Sequence, residues 1–292
     1  MNESKLLYIS LMDGMARAHL CDSTRLVETA RETHSLSRIA TAALGRHLTA
    51  TAIIACNLKG KDDNVTCRIN GGGPLGTLLA VGKSDGTVKG YVENPFVDLP
   101  RETEKLPVGA AVGKNGRLAV VRDLGLRDPY VGHVHLVSGE IAEDFAMYFT
   151  ASEQTPSLVS LGVLTDDKVI AAGGLIVQMM PGATKAAIQS IESSAPMFMN
   201  LSATVRDYGL HGAAEQLLSH LQPQILEERN IAYRCDCSRD RVERALISLG
   251  RAELNEMIDS QHKAEVNCHF CNRVWRFSED DLRALLASAT KE

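Results

Sequence analysis

The chain of 292 residues is longer than one ordinary domain and suits one large and one small unit. Its hydrophobic content of 45% is enough to fill a core, but aromatics at 4% leave that core to aliphatic and methionine packing. A net charge of −5 and a pI near 6.0 provide no electrostatic footprint for nucleic acid or an anionic membrane, so neither is expected as a partner.

The apolar run Leu6 to Met12, after Lys5 and before Ala16-Arg17-Ala18, has the outline of a signal peptide. Asp13-Gly14 interrupts it, and residues 5–22 read better as a hairpin turning there. Two helices follow, the first capped by Ser23 and the second running from about Ser37 to Leu58 on a broad apolar stripe rich in alanine. No stretch approaches the roughly 18 apolar residues of a membrane span.

From Asn64 to about Leu136 the periodicity falls to two. Val65–Ile69, Leu78–Val81, Val88–Val92, Leu118–Val121 and Val131–Leu136 are expected strands of an antiparallel meander. Gly71-Gly-Gly-Pro-Leu-Gly76 has the GxGxxG form, but Pro74 and the strand-like Thr77–Val81 stand where a dinucleotide site needs a helix N-terminus. It reads as a structural turn. Ser138 is placed to cap a helix through about Thr150, and a strand pair over 158–164 and 169–179 turns at Asp166-Asp167. Pro181-Gly182 then ends the first domain.

Residues 183–233 read as a helical connector of low intrinsic stability. Ala186, Ile188 and Ile191 form one apolar face, and Leu217, Leu218, Leu221 and Ile225 another, while Pro196, Gly209, Gly212 and Pro223 interrupt them. Helices this short need a neighbour to dock on. Four of the nine methionines fall between 179 and 199, which suits either an ordinary core or an adaptable binding surface.

The C-terminal stretch carries the strongest chemistry. Cys235-Asp236-Cys237 and Cys268-His269-Phe270-Cys271 place four of the seven cysteines in two tight pairs, the pattern of one tetrahedral four-thiolate zinc site. Cysteines so closely spaced can also close on themselves as disulfides if the metal leaves. Arg234, Arg239, Arg241 and Arg244 either favour thiolate at the first pair or form a solvated helix face. Ser238 caps a helix that Gly250 stops, a second helix follows over 251–259, and Ser278-Glu-Asp-Asp281 opens the last helix with a capping box. The module of 59 residues from Arg234 is too small to rely on a hydrophobic core, which at this size supplies at most about 3–5 kcal/mol. Structural zinc contributes about 10–16 kcal/mol, so loss of the metal is expected to unfold the module. Thiolate ligands need a reducing compartment, which points to the cytoplasm.

Cys21, Cys56 and Cys67 are scattered and read as core residues, and His133 and His135 share a strand face without a cysteine or acidic partner nearby. His269 lies between two ligands of a site that four sulfurs already complete. No Ser-His-Asp or HExxH motif appears, and no catalytic residue is assigned.

Cys235-Asp-Cys-Ser-Arg239, Arg241–Leu246, Cys268-His-Phe-Cys271 and Phe277–Asp281 resemble the zinc domain of the 33 kDa chaperonin (heat shock protein 33) family. The resemblance extends upstream through Gly71–Gly76, Gly90–Pro95, Ser152–Pro156 and Gly173–Pro181, with no departure at the ligand positions. It implies a redox-regulated holdase that binds unfolding proteins under oxidative and heat stress. Cys235, Cys237, Cys268 and Cys271 would hold one zinc ion per chain in the reduced state and serve as the redox switch, with Cys235–Cys237 and Cys268–Cys271 as the implied disulfides. Zinc release and linker unfolding would convert an inactive monomer into an active dimer that hands clients to a foldase chaperone system.

The expected architecture is α+β: a mixed α/β-sheet chaperone domain over 1–180, a metastable helical linker over 181–233 and a small four-cysteine zinc-binding module over 234–292. The competing reading is an enzyme or a translation-associated binding protein whose zinc module is purely structural.

Overall fold

The computed structural model describes residues 3–100 and 105–288, so the extreme ends of the first and third expected segments lie outside the described residues. The chain divides into two compact units, Met1–Arg234 and Cys235–Glu292, in an α+β architecture.

The large unit is built on two sheets. Strands β1 (Lys5–Leu11) and β2 (Ala16–Asp22) form the expected hairpin, and β8 (Ser157–Thr165) and β9 (Val169–Met179) form the second; together with β10 (Gln224–Asn230) they make a five-stranded sheet of order β10-β1-β2-β9-β8. The other sheet contains β3 (Asn64–Asn70), β4 (Thr77–Lys83), β5 (Thr87–Val92), β6 (Arg117–Asp123), β7 (Tyr130–His135) and β11 (Ala232–Tyr233) in the order β11-β5-β4-β3-β6-β7. It is not a simple meander. After β5 the chain crosses back through α3 (Val108–Val112), and β6 pairs with the free side of β3. The glycine run is the turn that permits this. Gly73 and Leu75 donate to the carbonyls of Val112 and Ala111, and a Cβ on Gly71 would lie 2.1 Å from the Gly113 carbonyl oxygen.

Helix α2 (Arg38–Cys56) packs between the sheets, touching β3, β4 and β5 on one side and β8 and β9 on the other. Ser37 caps it by accepting from Ala40 N–H at 3.2 Å. Its small side chains let strands approach closely: a Cβ on Gly82 would come within 2.6 Å of the Ala55 methyl. At nineteen residues this helix does have the length and apolar composition to cross a membrane, contrary to the sequence expectation, but 94% of its most apolar window is buried within the fold. Helices α1 (Thr24–His34) and α4 (Ala142–Ala151) complete this layer.

Two expected caps are replaced. Ser23 turns its hydroxyl to Thr49 at 2.7 Å, and Asp22 takes the Thr24 N–H instead. Helix α4 starts later than expected, because the buried Asp144 carboxylate accepts from Val137, Ser138 and Ile141 N–H groups and fixes the entry turn itself.

The five-stranded sheet is apolar on both faces. Leu6, Cys21, Ala172 and Ile176 face the layer between the sheets, while Leu7, Ile9, Leu11, Ala18, Leu20, Leu175 and Val177 alternate onto the opposite face. That outer face is covered by residues of the expected connector: α5 (Lys185–Ser194), a 3-10 turn over Ala195–Asn200 and α6 (Leu201–Leu218), which contribute Ile191, Phe198, Leu201, Val205, Leu210, Leu217 and Leu218. The sequence pattern extends the helical face to Ile225. Residues 224–230 are instead strand β10, because they lie against the open edge of β1.

The small unit contains helices α7 (Arg239–Ser248), α8 (Arg251–Glu256) and α9 (Glu279–Ser288) and the hairpin β12 (Lys263–Asn267)–β13 (Val274–Ser278). Its buried apolar cluster is only Leu246, Leu254, Ile258, Ala264, Phe277, Leu282 and Leu285.

His47 on α2 is fully buried, its Nε2 bonded to the Cys67 carbonyl at 3.0 Å, and burial lowers its pKa to about 4. The unfolded chain takes up the proton near pH 6.5, before the folded state does, so this histidine's contribution to stability is complete above pH 6.5 and is lost as pH falls toward 4. His47→Gln is expected to remove about 3 kcal/mol of the acid-side loss of stability, measured by urea unfolding at a series of pH values.

Candidate metal centre

Each cysteine pair sits in a turn that prepares its sulfurs. The first precedes α7, whose N-terminus is capped by Ser238 accepting from Arg241 N–H at 3.3 Å. The second lies in the loop between β12 and β13, closed by Cys271 and Asn272 N–H groups donating to the Cys268 carbonyl and by Cys268 N–H donating to Arg273 O. Asn272 takes a left-handed conformation (φ 56), which asparagine tolerates better than most residues. On the far side of the hairpin, Ser278 Oγ accepts from Asp281 N–H while Asp281 Oδ2 accepts from Ser278 N–H, the expected capping box.

These turns bring all four sulfurs within 4.8 Å of one another. Cys235 Sγ lies 3.7 Å from Cys268 Sγ and Cys237 Sγ 3.5 Å from Cys271 Sγ. For comparison, a tetrahedron of sulfurs about 2.3 Å from a central zinc has edges of about 3.8 Å. Backbone N–H groups of Cys237, Phe270 and Arg273 point at the sulfurs of Cys235, Cys268 and Cys271 respectively, an arrangement that supports thiolates.

Without a cation the group cannot ionise together. Burial pushes the Cys235 and Cys271 thiols up. Burial acts the same way on Cys268, but the Phe270 N–H and the Cys271, Cys235 and Cys237 thiols bond to its sulfur and together hold it below its ordinary value. Four thiolates this close repel one another, and a divalent cation removes that repulsion. The four half-buried side chains could therefore hold one metal ion.

Arg239 and Arg241 are engaged elsewhere and do not supply that charge. Arg241 pairs with Asp236 at 3.1 Å, and Arg239 pairs with Glu243 and Asp281 at 2.9 Å while stacking on Phe277. Trp275 lies on β13 with the Arg273 guanidinium 5.4 Å from its ring.

The other candidates lie apart. Cys21, Cys56 and Cys67 are buried in the core of the large unit, and burial raises the latter two thiols to about 11 and about 12, far from a reactive range. His133 and His135 are exposed on β7, and among the described residues the four cysteines form the only His/Cys/Asp/Glu group arranged to hold a metal.

No local sequence signal marks a polar cleft of about 180 Å³ lined by Arg17, His19, Asn57, Arg122, Glu153 and Gln178, because those residues come from five separate segments. It holds one ion pair, one charged residue bonded to an amide and one neutral histidine. Arg17 binds Gln178, Arg122 binds Glu153, and His19 is held neutral by burial and by Arg17, with a pKa of about 4.

A family model described as Hsp33 protein matches residues 4–278. The chain is 43% identical over 288 residues to a 33 kDa chaperonin of Alkaliphilus metalliredigens, covering 97% of this chain and 98% of that one. It is 44% identical over 277 residues to a 33 kDa chaperonin of Clostridioides difficile, covering 94% and 95%. The crystal structure of the 33 kDa chaperonin (heat shock protein 33 homolog) of Thermotoga maritima superposes with a TM-score of 0.90 at 37% identity, over 100% of both chains.

The reduced protein is expected to bind one divalent metal per chain, and Cys237→Ser is expected to bring the stoichiometry close to zero, measured by metal analysis after gel filtration. The metal should be released as pH falls, because its ligands must be deprotonated. With the cysteine cluster, the mixed α/β fold and a likeness that runs the length of the sequence, the chain belongs to the Hsp33 family of chaperonins.

Proposed function

We propose that this chaperone is a holdase switched on by oxidation, with Cys235, Cys237, Cys268 and Cys271 as both zinc ligands and redox switch. The observation that carries this reading is the double burial of the five-stranded sheet. One of its apolar faces is covered by residues 185–221, immediately upstream of a small unit whose own core is seven residues. Bound zinc would cross-link the two cysteine turns and hold their sulfurs as thiolates.

One thiolate of a pair attacks a peroxide oxygen; the O–O bond breaks, two electrons pass to the peroxide, and a sulfenic acid and hydroxide result. The second thiolate then attacks the sulfenic sulfur, forming the S–S bond and releasing hydroxide. Sulfurs of opposite pairs lie 3.7 and 3.5 Å apart, but pairing within each turn closes a far shorter loop once the two segments separate. We therefore favour Cys235–Cys237 and Cys268–Cys271, in agreement with the family resemblance. The disulfides leave no thiolate set for a metal, and the small unit loses its main source of stability.

In this reading the functional division is 1–180 as the client-binding domain, 181–233 as the linker and 234–292 as the switch. Release of the linker uncovers Leu7, Ile9, Leu11, Leu20, Leu175 and Val177, an apolar surface suited to unfolding proteins. The active dimer, the hand-over to a foldase system and the cytoplasmic setting follow the family pattern. An enzymatic role is disfavoured in the polar cleft, where Arg17 is held by Gln178 and Arg122 by Glu153.

The linker has a built-in weak point. Gly209 interrupts α6 at φ 67, ψ −178, a conformation that is essentially glycine-only. Gly209→Ala is expected to destabilise the docked linker by about 1–3 kcal/mol and to lower the temperature or peroxide dose needed for activation. The primary test is light scattering from a heat-unfolding client. Peroxide-treated protein should suppress aggregation, zinc-loaded reduced protein should not, and a thiol reductant should reverse the effect. Equal failure of both forms would remove the holdase reading.

A further inference from the structure

The strand β10 holds its place in an unusual way. It pairs antiparallel with β1 from Lys5↔Asn230 to Ser10↔Gln224, with a bulge between Tyr8 and Ile9. Yet six of its seven residues are exposed, including Ile225 at 45% and Leu226 at 64%. Its side chains add a few contacts at one end: Glu228 with Lys5 at 2.7 Å and with His211 at 3.2 Å, and Arg229 with the Cys56 carbonyl at 3.0 Å and over the Tyr8 ring at 5.0 Å. Main-chain pairing is therefore the principal attachment, and main-chain pairing carries little sequence information.

Strand β1 is a good template for such pairing. Its other edge is fixed to β2, and Leu7, Ile9 and Leu11 point to the face that α6 covers. Withdrawal of residues 185–230 would bare two things at once, a row of unpaired N–H and C=O groups and the apolar face beside it. Each unsatisfied backbone group is costly in an apolar setting, so the edge would recruit a new strand. The edge strands β7 and β8 are not capped by a strand from the connector, so redox state would not gate them in this way.

Resting on the holdase reading above, we infer that the β10-facing edge of β1 is a client site, occupied in the resting protein by β10 as an internal stand-in. It takes extended, unfolded polypeptide segments by strand addition, with apolar side chains of the segment resting on the Leu7–Ile9–Leu11 row. Selection is for extended backbone rather than for a sequence, which suits a chaperone facing many clients.

Hydrogen exchange of the full-length protein, read by mass spectrometry, tests this. Three states are compared: reduced and zinc-loaded, peroxide-activated, and activated with heat-unfolded luciferase bound. Exchange at residues 5–11 is expected to rise about tenfold on activation, together with exchange at 185–221, and to return close to the resting rate when client binds. If 185–221 opens while 5–11 stays slow, β10 has not left and the inference is overturned while the holdase reading stands. If client binds and 5–11 stays fast, the client sits elsewhere and the inference is again overturned. If the oxidised protein holds no client, the underlying reading fails first.

A peptide of residues 224–230 provides a second readout. The peptide and its scrambled version should both compete with client, whereas a version N-methylated at alternate amides should not. Equal competition by the N-methylated peptide would show that backbone pairing is not the mode of binding.

Discussion

A β-sheet that is apolar on both faces needs two covers, and the structure of the large unit follows from that need. One face of the five-stranded sheet closes on α2 and the six-stranded sheet, a cover that, apart from β11, comes from the first 180 residues, as do all of the sheet's own strands except β10. The other closes on residues 185–221, which come later in sequence and are interrupted by Pro196 and Gly209. The two covers differ in kind. The first is held by a large continuous core, and the second by a single layer of helix. Each fully buried Leu or Phe at that second interface contributes about 1.5–3 kcal/mol, so the layer is stable while docked and has little to hold it as helix once detached.

The small unit has the complementary weakness. Among its described residues the core holds seven buried apolar side chains, a size that supplies at most about 3–5 kcal/mol, and four sulfurs within 4.8 Å repel one another as thiolates unless a cation lies between them. Its turns are nonetheless well made, with Ser238 and the Ser278–Asp281 pair capping two helices and N–H groups aimed at three sulfurs. Local chemistry thus positions the four cysteines, which could hold a metal ion where the core is small.

Much of this was legible in the sequence wherever a signal was local. The Asp13-Gly14 turn, the strands with period two, the Ser37 and Ser238 caps and the grouping of the four cysteines each depend on a few adjacent residues. What the sequence hid was set by partners distant along the chain. The Ser23 hydroxyl is drawn to Thr49, and Asp144 displaces Ser138 because it reaches four N–H groups at once. Residues 224–230 have a helix-compatible pattern but become a strand because β1 offers an open edge more than 200 residues earlier. The apolar composition of α2 was likewise ambiguous until its two covering sheets were in place. The polar cleft around His19 was invisible for the same reason.

The placement of Trp275 has an optical consequence. It is the only tryptophan in the chain and lies in the small unit, on β13, whereas all six tyrosines fall in the large unit. Indole emission therefore reports on the small unit alone and phenol emission on the large one. The two halves of the molecule carry separate intrinsic fluorophores, so their unfolding can be followed in one cuvette without any added label.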